Sequence, residues 1–164
     1  MTVRNPVKRI TFGLLSTLFL LALLFYMTPR AIRLLYPKEV ANISPSAAWQ
    51  IAQLPNTLVL DVREEAEYEV SHLAGAQRYT PELLNNVNPE TQILVYCTVG
   101  VRSARLAQEL KGRGFTDVQN IDLGILSWKN NGLAVVDMNG QPTEKVHVYK
   151  GFFGLWLKKG KAVY

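Results

Sequence analysis

Short apolar runs alternate with helical spacing through the middle of the chain. The runs at 57–62 and 92–96 are almost wholly apolar, which is typical of strands buried on both faces of a parallel sheet. Further short strands are predicted at 43, 77–79 and 118–121, and helices at 45–54, 64–70, 103–110 and 123–128. This alternation predicts an α/β domain over residues 40–136, with a mainly parallel sheet flanked by helices.

The most apolar stretch lies ahead of this domain. Residues 10–29 carry no charge, and at about 1.5 Å per residue a helix of that length spans roughly the 30 Å hydrocarbon core of a bilayer. A cleaved signal peptide is the alternative, but Met27-Thr28-Pro29-Arg30 offers no small-residue cleavage site. We therefore predict a basic N-terminus at 1–9, one transmembrane helix at 10–29 and a linker at 30–39.

The remaining residues, 137–164, form a basic aromatic tail. A polar loop comes first, and residues 146–159 then mix aromatic side chains with lysine. Tryptophan and tyrosine suit the headgroup depth of a membrane, where lysine meets anionic lipid. The tail is therefore predicted either to contact a membrane or partner, or to pack back on the domain as a β-hairpin.

Charge is distributed unevenly, although the net charge is +5. Residues 1–37 carry five Lys/Arg and 145–164 carry five Lys, both without an acidic residue, whereas 38–144 carry eight Lys/Arg against thirteen Asp/Glu. Basic ends beside apolar residues favour an anionic membrane surface, and no nucleic-acid motif is present in the sequence. Three basic residues flank each side of 10–29, so charge alone does not set the orientation of the helix.

The single cysteine, Cys97, carries the candidate chemistry. One cysteine allows neither an intrachain disulfide nor a cysteine-based zinc cluster, and we predict no metal and no cofactor. Cys97 lies in a short turn between a predicted strand and a predicted helix, where backbone N–H groups and the helix N-terminus favour a nucleophilic thiolate. The alternative is a buried core cysteine. The candidate loop is Thr98, Val99, Gly100, Val101 and Arg102.

The order of motifs resembles the rhodanese-like domain over about residues 43–136, roughly 60% of the chain. The residues that carry the resemblance are Leu60-Asp61-Val62-Arg63, Glu67-Tyr68, Ser71-His72-Leu73-Ala74-Gly75-Ala76, Tyr96-Cys97 with the loop through Arg102, Ser103-Ala104, Gly124 and Trp128. Two backbone corners depart from the family pattern. Ser71-His72 stands for the usual Gly-His, and Gly124-Ile125 stands for a pair of glycines.

The resemblance implies a sulfurtransferase in which Cys97 carries a sulfane sulfur as a persulfide. The loop amides would cradle that sulfur, and Arg102 would hold the loop or bind an anionic donor. Asp61 and Arg63 would support the loop from the neighbouring strand end, and His72 would cap a turn. The acceptor would be a thiol or cyanide. Because the loop carries Val99 and Val101, a persulfide donor is favoured over thiosulfate.

Two other functions compete with sulfur transfer. Cysteine phosphatases use a Cys-x5-Arg loop, whereas Cys97 and Arg102 are separated by only four residues. The second alternative is an accessory or assembly subunit that binds a membrane complex through the domain and the tail, with little or no catalysis. Persulfide chemistry requires a reduced thiol, so we expect the domain on the cytoplasmic face of the membrane.

Overall fold

The computed structural model describes residues 14–21 and 28–164. Its central element is a five-stranded sheet in the order β1-β5-β4-β2-β3, in which every neighbouring pair is parallel. The strands are β1 (Ala41–Ile43), β2 (Thr57–Asp61), β3 (Gln77–Arg78), β4 (Gln92–Tyr96) and β5 (Val118–Ile121). The predicted α/β architecture with a mainly parallel sheet is confirmed.

Helices cover both faces of this sheet. They are α1 (Pro45–Ala52), α2 (Glu65–Val70), α3 (Val101–Gly112) and α4 (Gly124–Asn130), with a 3-10 turn at Pro81–Leu84. On one face, Leu94 and Tyr96 of β4 belong to a core with α1 and α4. On the other face, Ile93 and Val95 pack in a second core with α3. β4 is thus buried on both sides, as its apolar sequence predicts.

Local capping fixes the ends of two helices. Ser44 accepts a hydrogen bond from the Ala47 amide at the start of α1, with Pro45 in the first turn. Glu64 and Glu67 form a capping box at the start of α2. α3 begins at Val101, two residues earlier than predicted, because Gly100 adopts a left-handed conformation and turns the chain directly into the helix. Arg102 therefore lies in the first turn of α3.

Half of the predicted transmembrane run, 10–29, lies outside the described residues, namely 10–13 and 22–27. Of the ten residues in this run that the structure describes, 14–21 are helical and exposed, and 28–29 are not helical. Among residues 14–21 and 28–164, no helix is long and apolar enough to cross a membrane.

The predicted linker, 30–39, packs against the domain. Ala31–Leu35 form a 3-10 helix, and both Ala31 and Tyr36 are buried. Arg33 pairs with Asp122 through two hydrogen bonds of 2.9 and 2.5 Å. This segment is consequently part of the folded unit.

The tail also packs on the domain, but not as the β-hairpin that one alternative predicted. After the antiparallel pair β6 (Val135–Val136) and β7 (Pro142–Thr143), β8 (Lys145–His147) pairs in parallel with β9 (Lys161–Val163). A 3-10 helix at Gly151–Trp156 connects β8 to β9. A parallel pair requires such a crossover connection, which a tight hairpin turn cannot supply. Val146, Val148 and Phe153 join the core on the α1/α4 face.

Candidate active site

Cys97 follows the carboxyl end of β4, the middle strand of the sheet, and precedes α3. The residue is only 1% exposed. The Gly100 amide donates a hydrogen bond of 3.2 Å to Cys97 Sγ. The first amides of α3 have no intrahelical partner, so their N–H groups add partial positive charge at the same place. The sulfur thus accepts a backbone hydrogen bond at the N-terminal end of α3.

Helix α4 holds the loop from the other side. The Ile125 amide donates to the Cys97 carbonyl oxygen at 2.9 Å, and the Leu126 amide to that of Thr98 at 3.3 Å. Gly124 permits this approach, because a β-carbon there would collide with the Cys97 carbonyl oxygen and because its φ is +54°. The family pattern has a pair of glycines here, and this chain keeps the one, Gly124, that the contact with the Cys97 carbonyl requires.

Tyr36, from the segment predicted as a linker, forms a second clamp. Its hydroxyl donates to the Val99 carbonyl oxygen at 2.7 Å and accepts from the Leu123 amide at 3.1 Å. Burial raises the pKa of Tyr36, so its hydroxyl remains a donor. A β-carbon at Gly100 would occupy the place of this hydroxyl. Sequence reasoning missed Tyr36, since nothing local distinguishes it from an interfacial aromatic residue.

A buried carboxylate, Glu67 of α2, binds the loop through charge. Arg102 donates to its two oxygens at 2.7 and 2.8 Å, and Thr98 Oγ1 donates at 2.7 Å. Arg102 Nη2 also donates to Thr98 Oγ1 at 3.0 Å. Burial raises the pKa of Glu67, but the bonds from Arg102 and Thr98 outweigh it, so the pKa lies below its ordinary value. The sequence offered Glu67 only as part of a family pattern.

This pairing defines what Arg102 does. Burial lowers the pKa of its guanidinium, but the bonds to Glu67 and the charges of Glu67 and of a Cys97 thiolate raise it above the ordinary value. Arg102 and a Cys97 thiolate thus attract each other. The bidentate pair with Glu67 nevertheless occupies the edge of the guanidinium that a donor oxyanion would use. Of the two roles implied by the resemblance, the geometry favours holding the loop.

Asp61 ends β2 and lies in register with Tyr96 of β4, and Arg63 follows two residues later. Both are fully buried, and Arg63 donates to the two Asp61 oxygens at 2.6–3.0 Å and to the Ser71 carbonyl at 2.6 Å. Burial lowers the pKa of Arg63, but the Asp61 charge raises it above the ordinary value. Arg63 also lies over the ring of Tyr96, 5.6 Å from its centroid. Arg63 therefore contacts Tyr96, the residue before Cys97.

His72 stabilises a turn away from the cavity that Cys97 lines. Its ring stacks on Tyr68 with 4.0 Å between centroids, and its backbone pairs with Val136. Its Nδ1 lies 3.1 Å from the Tyr68 carbonyl oxygen. These contacts fit the turn role that the resemblance implies.

A cavity of about 190 Å³ opens at Cys97. Val99, Val101 and Arg102 line one part of it. The rest comes from both ends of the chain, namely Ile32 and Leu35 before the domain and Tyr149 and Phe153 of the tail. The structure thus brings the predicted loop together with two segments that were not predicted to belong to the site. Residues 14–21 and 28–164 contain no cluster of three or more His, Cys, Asp or Glu that could hold a metal ion.

The family model of the rhodanese-like domain matches residues 44–131, and the chain belongs to this family. The chain is 32% identical over 92 residues to the thiosulfate sulfurtransferase GlpE of Coxiella burnetii, covering 54% of this chain and 86% of that protein. It is 35% identical over 97 residues to the tRNA uridine(34) hydroxylase of Bacillus pumilus, covering 53% of this chain but only 30% of that protein.

Solved structures agree with this family assignment. A rhodanese-related protein from Thermoplasma volcanium aligns over 58% of this chain and 97% of its own, with a TM-score of 0.50 and 25% identity. A thiosulfate sulfurtransferase from Pseudomonas aeruginosa aligns over 60% of this chain and 20% of its own, with a TM-score of 0.53 and 22% identity, which shows a shared fold. The two segments that complete the cavity, 31–36 and 145–164, lie outside the residues that the family model matches.

Proposed function

We propose that this protein is a sulfurtransferase that moves sulfane sulfur through a persulfide on Cys97. The observation that carries the proposal is the hydrogen bond from the Gly100 amide to Cys97 Sγ in a four-residue loop at the start of α3. The relatives named thiosulfate sulfurtransferase support the same chemistry.

In the proposed reaction, the Cys97 thiolate attacks the outer sulfur of a donor R–S–SH. A bond forms between Sγ and the transferred sulfur, and the donor S–S bond breaks. R–S⁻ leaves with that electron pair, and the proton stays on the transferred sulfur to give Cys97–S–SH. After loss of this proton, a thiol or cyanide acceptor takes the outer sulfur and Cys97 returns as a thiolate. The chain contains one cysteine, so an outside acceptor is required.

The loop favours sulfur over phosphate. Four residues between Cys97 and Arg102 make a narrower cradle than the five of a cysteine phosphatase, and a tetrahedral oxyanion needs the wider one. Arg102, which would bind phosphate oxygens, is paired with Glu67 instead. In our proposal Thr98 and Arg102 keep the loop in place, and Asp61 with Arg63 supports it through Tyr96.

The test is the mass of the protein after incubation with a donor. The full-length chain should gain one sulfur atom on Cys97 and then release it to cyanide or a thiol. Cys97→Ser should gain none, and Thr98→Ala should lose only part of the rate because Glu67 and Arg102 remain. If the folded protein gains no sulfur from thiosulfate or from any persulfide, the enzyme proposal is wrong and the assembly-subunit alternative takes its place.

We further propose that residues 10–29 anchor the protein in a membrane as a single-pass helix, with the domain on the cytoplasmic face. The uncharged run and the helical conformation of residues 14–21 support the anchor. The need for a reduced thiol supports placing the domain on the cytoplasmic face. The tail, 146–159, would contact an anionic leaflet or a partner within a membrane complex. Washing membranes with alkaline carbonate tests the anchor, because a spanning protein stays in the pellet and a peripheral one is released.

A further inference from the structure

Tyr149 lies directly over the charged group of the loop. Its ring centroid is 4.6 Å from the Arg102 Cζ atom, within the range of a cation–π contact. Glu67 accepts hydrogen bonds from both terminal nitrogens of Arg102. Arg102 is therefore bound at its edge by a carboxylate and covered on its face by an aromatic ring.

The backbone at Tyr149 is held in a strained conformation that aims the ring. Its φ is +63°, a value that is unusual for a bulky residue with a β-carbon. The Lys150 amide donates to the Val148 carbonyl oxygen at 2.7 Å, which closes a γ-turn around Tyr149. The Tyr149 amide donates to His147 Nδ1 at 3.1 Å. Buried Val148 and Phe153 anchor the chain on either side of this turn.

Most of the other side chains that line the cavity are apolar. Ile32, Leu35 and Phe153 line the cavity beside Val99 and Val101, and among the residues that the structure describes Arg102 is the only one that lines it with a charged side chain. Lys150 Nζ lies 5.6 Å from the Tyr149 ring centroid but does not line the cavity. Thiosulfate and similar oxyanions are strongly hydrated and need a cation or free donors to replace their water. The protonated form of a hydropersulfide, which is the form that a thiolate attacks, is neutral and needs neither, and an apolar carrier gains contact with the apolar wall.

We propose that Tyr149 is a specificity-determining residue that hides Arg102 from oxyanions, so that the site takes its sulfur from a neutral hydropersulfide with an apolar carrier. The assignment of a donor rests on the proposed sulfur transfer. The selectivity at the entrance is a property of the cavity, and it can be measured without turnover.

The first experiment measures the rate at which two small reagents alkylate Cys97 in the full-length chain. Iodoacetamide is neutral and iodoacetate is anionic, and a single cysteine makes the product unambiguous. The wild-type protein should react faster with iodoacetamide, by a ratio larger than that of free glutathione. Tyr149→Gly keeps the positive φ and removes the ring, so this ratio should fall roughly tenfold, mainly through faster reaction with iodoacetate.

Two further variants serve as controls. Tyr149→Phe keeps the ring over Arg102 and should keep the wild-type ratio. Tyr164→Ala removes another aromatic ring of the tail, 73% exposed and outside the cavity lining, and should also leave the ratio unchanged. The proposal is overturned if Tyr149→Gly leaves the ratio unchanged, or if Tyr164→Ala lowers it as much.

The second experiment compares donors with thiosulfate and n-butyl hydropersulfide as probes. The wild type should have a higher kcat/KM with the hydropersulfide than with thiosulfate. Tyr149→Gly should raise kcat/KM for thiosulfate roughly tenfold. If both donors work but Tyr149→Gly leaves their ratio unchanged, the role of Tyr149 is wrong and sulfur transfer stands. If neither donor works although the alkylation ratio responds to Tyr149, the proposed sulfur transfer and the donor class are wrong.

Discussion

Removal of the Glu67 carboxylate should loosen the Cys97 loop and destabilise the fold. This group is only 2% exposed and accepts bonds from Arg102, Thr98 and the Glu64 amide at 2.7–3.1 Å. Breaking a buried ion pair costs about 3–5 kcal/mol. Arg102 keeps 27% exposure and recovers part of its hydration, so we expect Glu67→Ala to lower the free energy of unfolding by about 2–3 kcal/mol.

Urea unfolding followed by circular dichroism measures this loss. Glu67→Gln keeps the shape but not the charge and should lose about half as much. Glu69→Gln, on the exposed face of the same helix, is the control and should change stability by less than about 0.5 kcal/mol. Cys97 should also react faster with iodoacetamide in Glu67→Ala, because the loop loses its charged support.

The pH dependence of the free energy of unfolding shows whether the charge of Glu67 stabilises the fold. The pKa of Glu67 is lower in the folded protein than its ordinary value of 4.5, because the bonds from Arg102 and Thr98 outweigh burial. Its stabilising effect is therefore complete above pH 4.5 and is lost as the pH falls through the folded pKa. The gap between wild type and Glu67→Gln should shrink between about pH 7 and about pH 3. An equal gap at both values, or a Glu69→Gln variant as unstable as Glu67→Ala, would refute this account.

Three other changes test how distant segments hold the loop. Tyr36→Phe leaves the Val99 carbonyl and the Leu123 amide without their partner, and it should cost about 1–3 kcal/mol in urea unfolding and speed alkylation of Cys97. Gly124→Ala places a methyl group against the Cys97 carbonyl at a positive φ, so it should lower the free energy of unfolding by about 2–4 kcal/mol and the melting temperature with it. Gly112→Ala is the control, because its methyl group meets open space and should change neither quantity. Deleting 145–164 removes three buried side chains (Val146, Val148 and Phe153) worth about 1.5–3 kcal/mol each, so calorimetry should show a marked loss of stability; an unchanged melting temperature would mean that the tail is not part of the core.

The sheet and the loop were predictable because their signals are local. An apolar run such as 92–96, followed by a turn and helical spacing, predicts a buried strand and its helix without knowledge of any distant residue. The start of α3 was placed two residues too late, since the left-handed Gly100 leads into the helix without a polar N-cap side chain. Arg102 therefore lies in the first turn of α3 and not in the loop before it, where the sequence pattern places it.

The parts that were missed depend on contacts between residues far apart in the sequence. Tyr36 lies 63 residues from Val99, and Glu67 lies 35 residues from Arg102. An aromatic residue near an apolar run has the composition expected of a membrane interface, and an acidic residue in the first turn of a helix is explained by the helix dipole alone. Only the assembled sheet shows that both side chains reach the same loop.

These long-range contacts connect the site to both ends of the chain. The 3-10 helix Ala31–Leu35 begins directly after the run predicted to cross the membrane, and it supplies two walls of the cavity through Ile32 and Leu35. The tail supplies Tyr149 and Phe153 to the lining and carries lysines without acidic residues over 145–164. If 10–29 spans a bilayer, the mouth of the cavity must lie within a few residues of the membrane surface, since Ile32 is only three residues beyond Pro29. A site so placed meets donors that partition into or dock on the membrane before it meets dilute aqueous anions, and its apolar lining is suited to the former.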